Sequence, residues 1–409
     1  MRNTRLLCVT LACTLSAVLN AEVQVNMRTS GSQANSAVAM DPAGGSIIVW
    51  SSYFSAPGRS NDIFARRLDP LGGFAGDEFQ VNVGNEGNQT EPAVATDGRG
   101  NFAVAWEGLG LAEEDVFLRL FDPNGRAVSD ELLINSRTAG RQLYPSVTAT
   151  DAGRLIVAWE SREIIEDVNR TSVHAQIFEP NGVPIGDDIL ANASLYDCRY
   201  PDVAADANGR FIVAWMQERS TNTIMARLFD PNGSPAAEPF EVSTTAISSI
   251  TRPAVAMTSL GRFVIAWDGD PNRASEDDIH ARLYDPNAQP AGEPFVVNTL
   301  REGAQQWPQV AMNDANEFIV VWEHDTGDPN AAATDIFARR FDAAGQPVGE
   351  QFQINSYAQD RQRRPAVAMA DDGSFIAAWE SNEQDGASYG IFAHREGPAL
   401  PADPNTIGP

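Results

Sequence analysis

The side chains best placed for chemistry in this chain are carboxylates that follow a tryptophan. Four of them, at Trp106-Glu107, Trp159-Glu160, Trp267-Asp268 and Trp322-Glu323, are the candidates. Two such groups facing each other across a pocket, roughly 5 to 9 Å apart, would supply the acid and base of glycan cleavage. Glu323 is followed by His324, the one histidine outside the expected strands, and by Asp325, and an imidazole between two carboxyls can carry a proton at neutral pH. A second cluster, Asp268-Gly269-Asp270-Pro271-Asn272 with Glu276, puts oxygen atoms at positions one, three, five and nine of a short loop. That spacing lets a loop wrap Ca2+. Arg273 stands where the turning glycine of such loops belongs, and no glutamate occupies position twelve. A solvated acidic loop is the competing reading.

Composition narrows the field. The chain carries 55 acidic against 29 basic residues, a formal charge of −26, and no lysine at all. Such a balance repels nucleic acid. The missing lysine excludes Schiff-base catalysis and the lysine-dependent phosphate loop. Four histidines, at 174, 280, 324 and 394, are too scattered to suggest a three-histidine metal centre. Residues 1–21 run from Arg2 and Arg5 through an apolar stretch, Leu6 to Val18, to Ala21, the pattern of a secretory signal peptide. That stretch is shorter than the roughly 20 residues a bilayer requires, and no later segment is a candidate to span a membrane. Cleavage would remove Cys8 and Cys13 and leave Cys198 as the sole thiol. A secreted or periplasmic protein without disulfides is expected, held together by its own core.

The elements that must position these groups are repeats. Tryptophan closes the same kind of apolar run seven times, at 50, 106, 159, 215, 267, 322 and 379. Runs such as Phe318-Ile319-Val320-Val321 are short and rich in β-branched and aromatic residues, as strands buried on both faces are. Before each comes a first strand, proline-led in most units (Pro92-Ala93-Val94-Ala95), and an Asp/Gly turn such as Asp97-Gly98-Arg99-Gly100. A third strand (Ile336-Phe337-Ala338-Arg339) and a fourth (Gln351-Phe352-Gln353-Ile354-Asn355) complete each unit. Four antiparallel strands in about 55 residues make one propeller blade. The seventh unit lacks its fourth strand, and Glu22-Val23-Gln24-Val25-Asn26 supplies that pattern at the other end. The fold class expected is therefore all-β: a seven-bladed β-propeller spanning 22–396, its ring closed by the N-terminal strand, with a Pro-rich tail at 397–409.

With units reading Ala-Val-Ala-Met-Asp, a Trp strand, Ile-Phe-Ala-Arg-Arg-Phe-Asp and Glu-Phe-Gln-Val-Asn, the chain resembles a class of secreted bacterial propeller proteins over residues 22 to 396. The resemblance implies architecture and export and no single activity. The Gly-His pair of WD-repeat propellers is absent, Trp-Asp occurs once, at 267–268, and Gly-Gly occurs only in the first unit, at 44–45 and 72–73, so neither the WD nor the kelch signature recurs from unit to unit.

A residue repeated in every blade is explained by the fold, whereas a ligand site belongs where the blades differ. The tryptophans and the third-strand arginines (Arg66, Arg119, Arg227, Arg282, Arg339) thus read as structural, and His174 and His280 as packed core. Glutamine recurs just before strand one at Gln33, Gln89, Gln142, Gln305 and Gln362, with Cys198 and Ile250 in the other two units. These amides either cap loop backbone, the favoured reading, or ring the channel mouth as ligand contacts. Trp307 alone lies outside the repeated tryptophan slot and is a candidate aromatic platform in a loop. The loops joining strands two and three, and strand four to the next strand one, share a face, which is the candidate binding surface. The function expected is a non-catalytic scaffold, monomeric, holding an extracellular protein, glycan or surface polymer. The alternative is a glycan-active hydrolase or lyase using carboxylates at the mouth. Ca2+ is the cofactor considered.

Overall fold

The computed structural model describes residues 22–397 except 54–59, 85, 111–112, 166–167, 193, 244–251, 270–276 and 326–332. The proposed leader, the tail beyond Gly397, Ile250 and three of the candidate calcium ligands (Asp270, Asn272, Glu276) lie outside the described residues. Among those described, all regular structure is β, in seven four-stranded antiparallel sheets. Six sheets take four consecutive strands each, as in blade two, with Thr90–Thr96, Phe102–Leu109, Glu114–Phe121 and Leu132–Leu133. The seventh combines Gln362–Met369, Phe375–Asn382 and Tyr389–Glu396 with Val23–Gln24.

Closure is made residue by residue. Val23 and Gln24 pair with Ala393 and Phe392. Beyond them, Val25 N donates to the Ile391 carbonyl at 2.7 Å, and Ile391 N donates to Asn26 Oδ1 at 2.7 Å. Asn82, Asn135, Asn192, Asn298 and Asn355 accept the same strand-three N–H within their own blades. The N-terminal segment is thus a displaced fourth strand, complete with its end clamp.

The four residues of each second strand that end at its tryptophan are apolar and buried, because each blade is covered by both neighbours. Five of the seven repeat tryptophans stack on the ring in the third strand's aromatic slot. Trp50 and Trp106 lie on Phe64 and Phe117, and Trp159 and Trp267 on His174 and His280 at 5.9 and 5.8 Å. Both histidines are packed rings, and burial pushes their pKa values down. The third-strand arginines reach backward to the preceding blade. Arg66, Arg119, Arg227 and Arg339 donate to the carbonyls of Val25, Val81, Ala191 and Val297. These contacts stitch the ring at every junction they span.

Candidate functional site

Strand one of six blades begins with a defect that aims one side chain into the channel. The strand-one to strand-two register slips at residues 35–36, 91–92, 144–145, 200–201, 307–308 and 364–365. A bulge of this kind turns a side chain out of the sheet's alternation. The first residue of each pair is left-handed: Asn35, Glu91, Tyr144, Tyr200, Trp307 and Arg364 have φ between 48° and 56°. Left-handed backbone costs a non-glycine residue on the order of 1 kcal/mol, so six such residues need compensation. Arg252 occupies the same place in blade five, two residues before Ala254–Met257.

For four of the six the compensation comes from the residue after the preceding blade's tryptophan. Glu380 Oε1 accepts from Asn35 N at 2.6 Å, Glu107 Oε2 from Tyr144 N at 3.1 Å, Glu160 Oε2 from Tyr200 N at 3.1 Å and Glu323 Oε2 from Arg364 N at 3.3 Å. Three of the carboxylates singled out as acid and base candidates are therefore employed at separate blade junctions, holding backbone. Glu107 also accepts from Thr90 Oγ1 at 2.8 Å, and Glu160 pairs with Arg162 at 2.5 Å. Burial pushes Glu107 and Glu323 up to about 7, with Glu91 adding repulsion at Glu107. Burial raises Glu160 too, against the pull of Arg162.

His324 lies within a strand, Phe318–Asp325, and not outside one as the sequence suggested. Successive strand residues point to opposite faces, so Glu323, His324 and Asp325 do not converge. His324 is buried, bonds through Nδ1 to Gln305 and meets Phe337 edge-on at 5.1 Å. Asp268 is buried at the end of its strand, in the slot that Glu107 and Glu160 fill in their blades. Among the described residues no three His, Cys, Asp or Glu side chains gather as metal ligands.

The recurrent glutamines are spent on tryptophan. Gln33, Gln89, Gln142, Gln305 and Gln362 accept from the indole N–H of Trp50, Trp106, Trp159, Trp322 and Trp379 at 2.9–3.2 Å. Four of them also donate to loop carbonyls three residues back, those of Glu86, Ala139, Glu302 and Gln359. All five are buried, so they clamp the fold and present no amide to a ligand. In blade four the clamp position holds Cys198, whose thiol burial pushes up to about 12, an unreactive state.

What lines the mouth is the set of bulge residues. Asn35, Glu91, Tyr144, Tyr200, Arg252, Trp307 and Arg364 border one cavity of about 200 Å3 on the axis. Trp307, expected in a loop, sits on the strand-one bulge of blade six. Arg252 reaches across the ring: its guanidinium carbon lies 4.7, 4.7 and 4.6 Å from the ring centres of Tyr144, Tyr200 and Trp307, and Nη1 is 3.2 Å from Glu91 Oε2. Arg364 lies over Trp307 at 5.3 Å and bonds to Asn35, whose amide in turn donates to Glu91 Oε1 at 2.9 Å. Deeper in, Asp202 joins three blades by accepting from Ser146 Oγ at 2.6 Å and Val255 N at 2.8 Å. Sequence reasoning found one of the seven mouth residues. The available signal was positional: each stands immediately before the proline, or Ser36, that leads strand one.

The opposite mouth differs. It is wider, about 720 Å3, and no aromatic ring is among its described lining residues. Its acids are engaged with one another's turns, Asp314 with Ser259 N and Oγ, and Asp371 with Asp314 N.

No family model matches the chain, and no curated protein does. Solved structures match it in shape. A protein of unknown function from Dyadobacter fermentans is 9% identical with a TM-score of 0.55, over 91% of this chain and 97% of that one. An ulvan lyase, described as a new family of polysaccharide lyase and bound to -[GlcA(1-4)Rha3S]-, is 10% identical at a TM-score of 0.55, over 92% and 96%. An α-L-arabinanase from Penicillium chrysogenum, complexed with arabinobiose, is 14% identical at 0.50, over 74% and 92%. Identities this low show a shared propeller fold alone. No helix among the described residues is long and apolar enough to cross a membrane.

Proposed function

We propose that this chain is an exported, non-catalytic recognition module, one propeller domain over residues 22–396, that holds a glycan at the bulge-lined mouth of its channel. One observation carries the reading: seven blades built on one plan deliver seven side chains of five types to a single cavity. Side chains that recur are consumed by the fold, as the Gln–Trp clamps and junction carboxylates are. Those that vary meet at one place, where specificity belongs.

Aromatic faces beside fixed hydrogen-bonding groups suit a sugar, which is apolar on one side of its ring and hydroxylated around its edge. Glycan-active proteins among the structural neighbours agree with that choice of ligand class. Glu107, Glu160 and Glu323 are each bonded to the backbone of the next blade, which leaves a converging acid and base unsupported. The test is a glycan array on the mature protein, followed by binding of the hits to Trp307→Ala and by chromatography of the mixtures. Binding lost in the variant with oligosaccharides recovered intact is the expected result. Chain shortening or unsaturated products would overturn the non-catalytic reading, and undiminished binding by Trp307→Ala would overturn the site.

A further inference from the structure

Two guanidiniums border the mouth cavity, and the donors they leave unspent define what they would take. Arg252 and Arg364 come from the two blades that flank Trp307. Each is held against an aromatic face, Arg252 against three rings at 4.6–4.7 Å and Arg364 against Trp307 at 5.3 Å. Stacking fixes the plane of the fork before any ligand arrives, so little side-chain entropy remains to be lost on binding. A guanidinium carries five N–H donors. Among the described residues Arg252 spends one on Glu91, and Arg364 one on Asn35 with Glu380 3.8 Å away. The remaining donors of both border the same small space.

We infer that the mouth contains an oxyanion subsite, and that the glycan it recognises is acidic, bearing a carboxylate or a sulfate ester on the residue that enters the channel. The inference rests on the glycan reading above and narrows it. Planar forks bind planar or tetrahedral oxyanions through paired, charge-assisted N–H···O bonds, stronger and more directional than bonds to neutral hydroxyls. Among the residues that line the cavity Arg252 and Arg364 balance Glu91 and Asp202, on a molecule whose overall charge is −26. Concentrating cations at one aromatic-walled point of so acidic a chain is unnecessary for a neutral sugar. Size fits one residue's end and not a whole oligosaccharide: about 200 Å3 lies below the roughly 300–1,000 Å3 of pockets that enclose drug-sized ligands. The rest of a chain would lie outside, over the loops of the same face.

Calorimetric titration of the full mature chain with trigalacturonate, a sulfated galactan tetrasaccharide and neutral galactotriose tests this. One acidic probe should bind at least tenfold more tightly than the neutral one, and which of the two does so identifies the oxyanion. Arg364→Gln should weaken that binding about tenfold to a hundredfold, equivalent to about 1.4–2.8 kcal/mol. Arg364→Lys, which keeps the charge and the fold but loses the fork, should recover only part of it. Equal affinity for the neutral and acidic probes, or full affinity in Arg364→Gln, would overturn the oxyanion subsite and leave glycan recognition standing. If none of these three probes and no glycan on the array binds, both readings fall.

Discussion

Deleting residues 22 to 26 should unfold the ring and not merely fray it. Val25 is fully buried, packed with Trp50 of blade one and with Ile376 and Ala378 of blade seven, and losing it forfeits about 2 kcal/mol of burial. The deletion also removes the Val25 N to Ile391 carbonyl bond, the Ile391 N to Asn26 bond, the Arg66 to Val25 carbonyl bond and the Glu22 carboxylate that Ser356 N and Oγ share. At about 1 kcal/mol each these five bonds add roughly 5 kcal/mol. The total, about 7 kcal/mol, is comparable with the 5–15 kcal/mol that usually separates folded from unfolded domains. The assay is urea unfolding followed by tryptophan fluorescence, comparing chains that begin at Glu22 and at Met27, with Asn26→Ala as a graded control costing about 1–3 kcal/mol. A Met27 start that shifts the midpoint by less than 1 kcal/mol equivalent would refute closure by the N-terminal strand.

Two further outcomes follow from the junctions. Gln89→Ala leaves the buried Trp106 indole N–H without its acceptor, and should cost about 1–3 kcal/mol in urea unfolding while leaving mouth binding unchanged. A loss of binding at unaltered stability would restore the glutamines as ligand residues. Stability should also decline as pH rises from about 4.5 to about 7, through Glu107 and Glu323. Their folded-state pKa values are raised, so the folded chain holds protons that the unfolded chain has released, and that advantage vanishes above about 7. Glu107→Gln keeps an acceptor for Tyr144 N and removes the titration. Its slope of unfolding free energy against pH should be flatter over this range, and an unchanged slope would remove Glu107 as a contributor.

The features legible in the sequence are those every blade must repeat. Tryptophan at the end of a buried run and the transplanted Glu-Val-Gln-Val-Asn are dictated by packing between blades, which is the same problem solved seven times. The mouth was illegible for the converse reason. Asn35, Glu91, Tyr144, Tyr200, Arg252, Trp307 and Arg364 share a position and not a chemistry, so aligning the repeats by residue type discards them as noise. Their left-handed backbone, the one thing six of them have in common, leaves no mark in composition because the glycine or asparagine usual at such an angle is mostly absent. His324 falls outside any strand that is expected to stop at its tryptophan. Pairing of Gln305 with His324 and Gln306 with Glu323 extends that strand beyond Trp322. In blade three the same strand runs on to Ile165.

The division between holding and choosing makes its own prediction. Tyr144 and its counterparts are fixed through their backbone N–H, a bond that asks nothing of the side chain, so the side chain is free to be selected for a ligand. The strain of about 1 kcal/mol at each bulge is offset by a hydrogen bond of about 1 kcal/mol wherever the preceding blade offers a carboxyl group. Stability should therefore reside in the acid and recognition in the residue it holds. Tyr144→Ala loses one edge-on ring contact with Tyr200 at 4.9 Å and a face for Arg252, about 1 kcal/mol in all. Glu160→Ala should cost about 3 kcal/mol or more, because it strips a fully buried carboxylate from Arg162 and leaves Tyr200 N unpaired. Glycan binding should show the reverse order when both variants are measured well below their unfolding transitions. If Tyr144→Ala proves the more destabilising of the two, the mouth residues belong to the fold and the case for their being chosen by a ligand collapses.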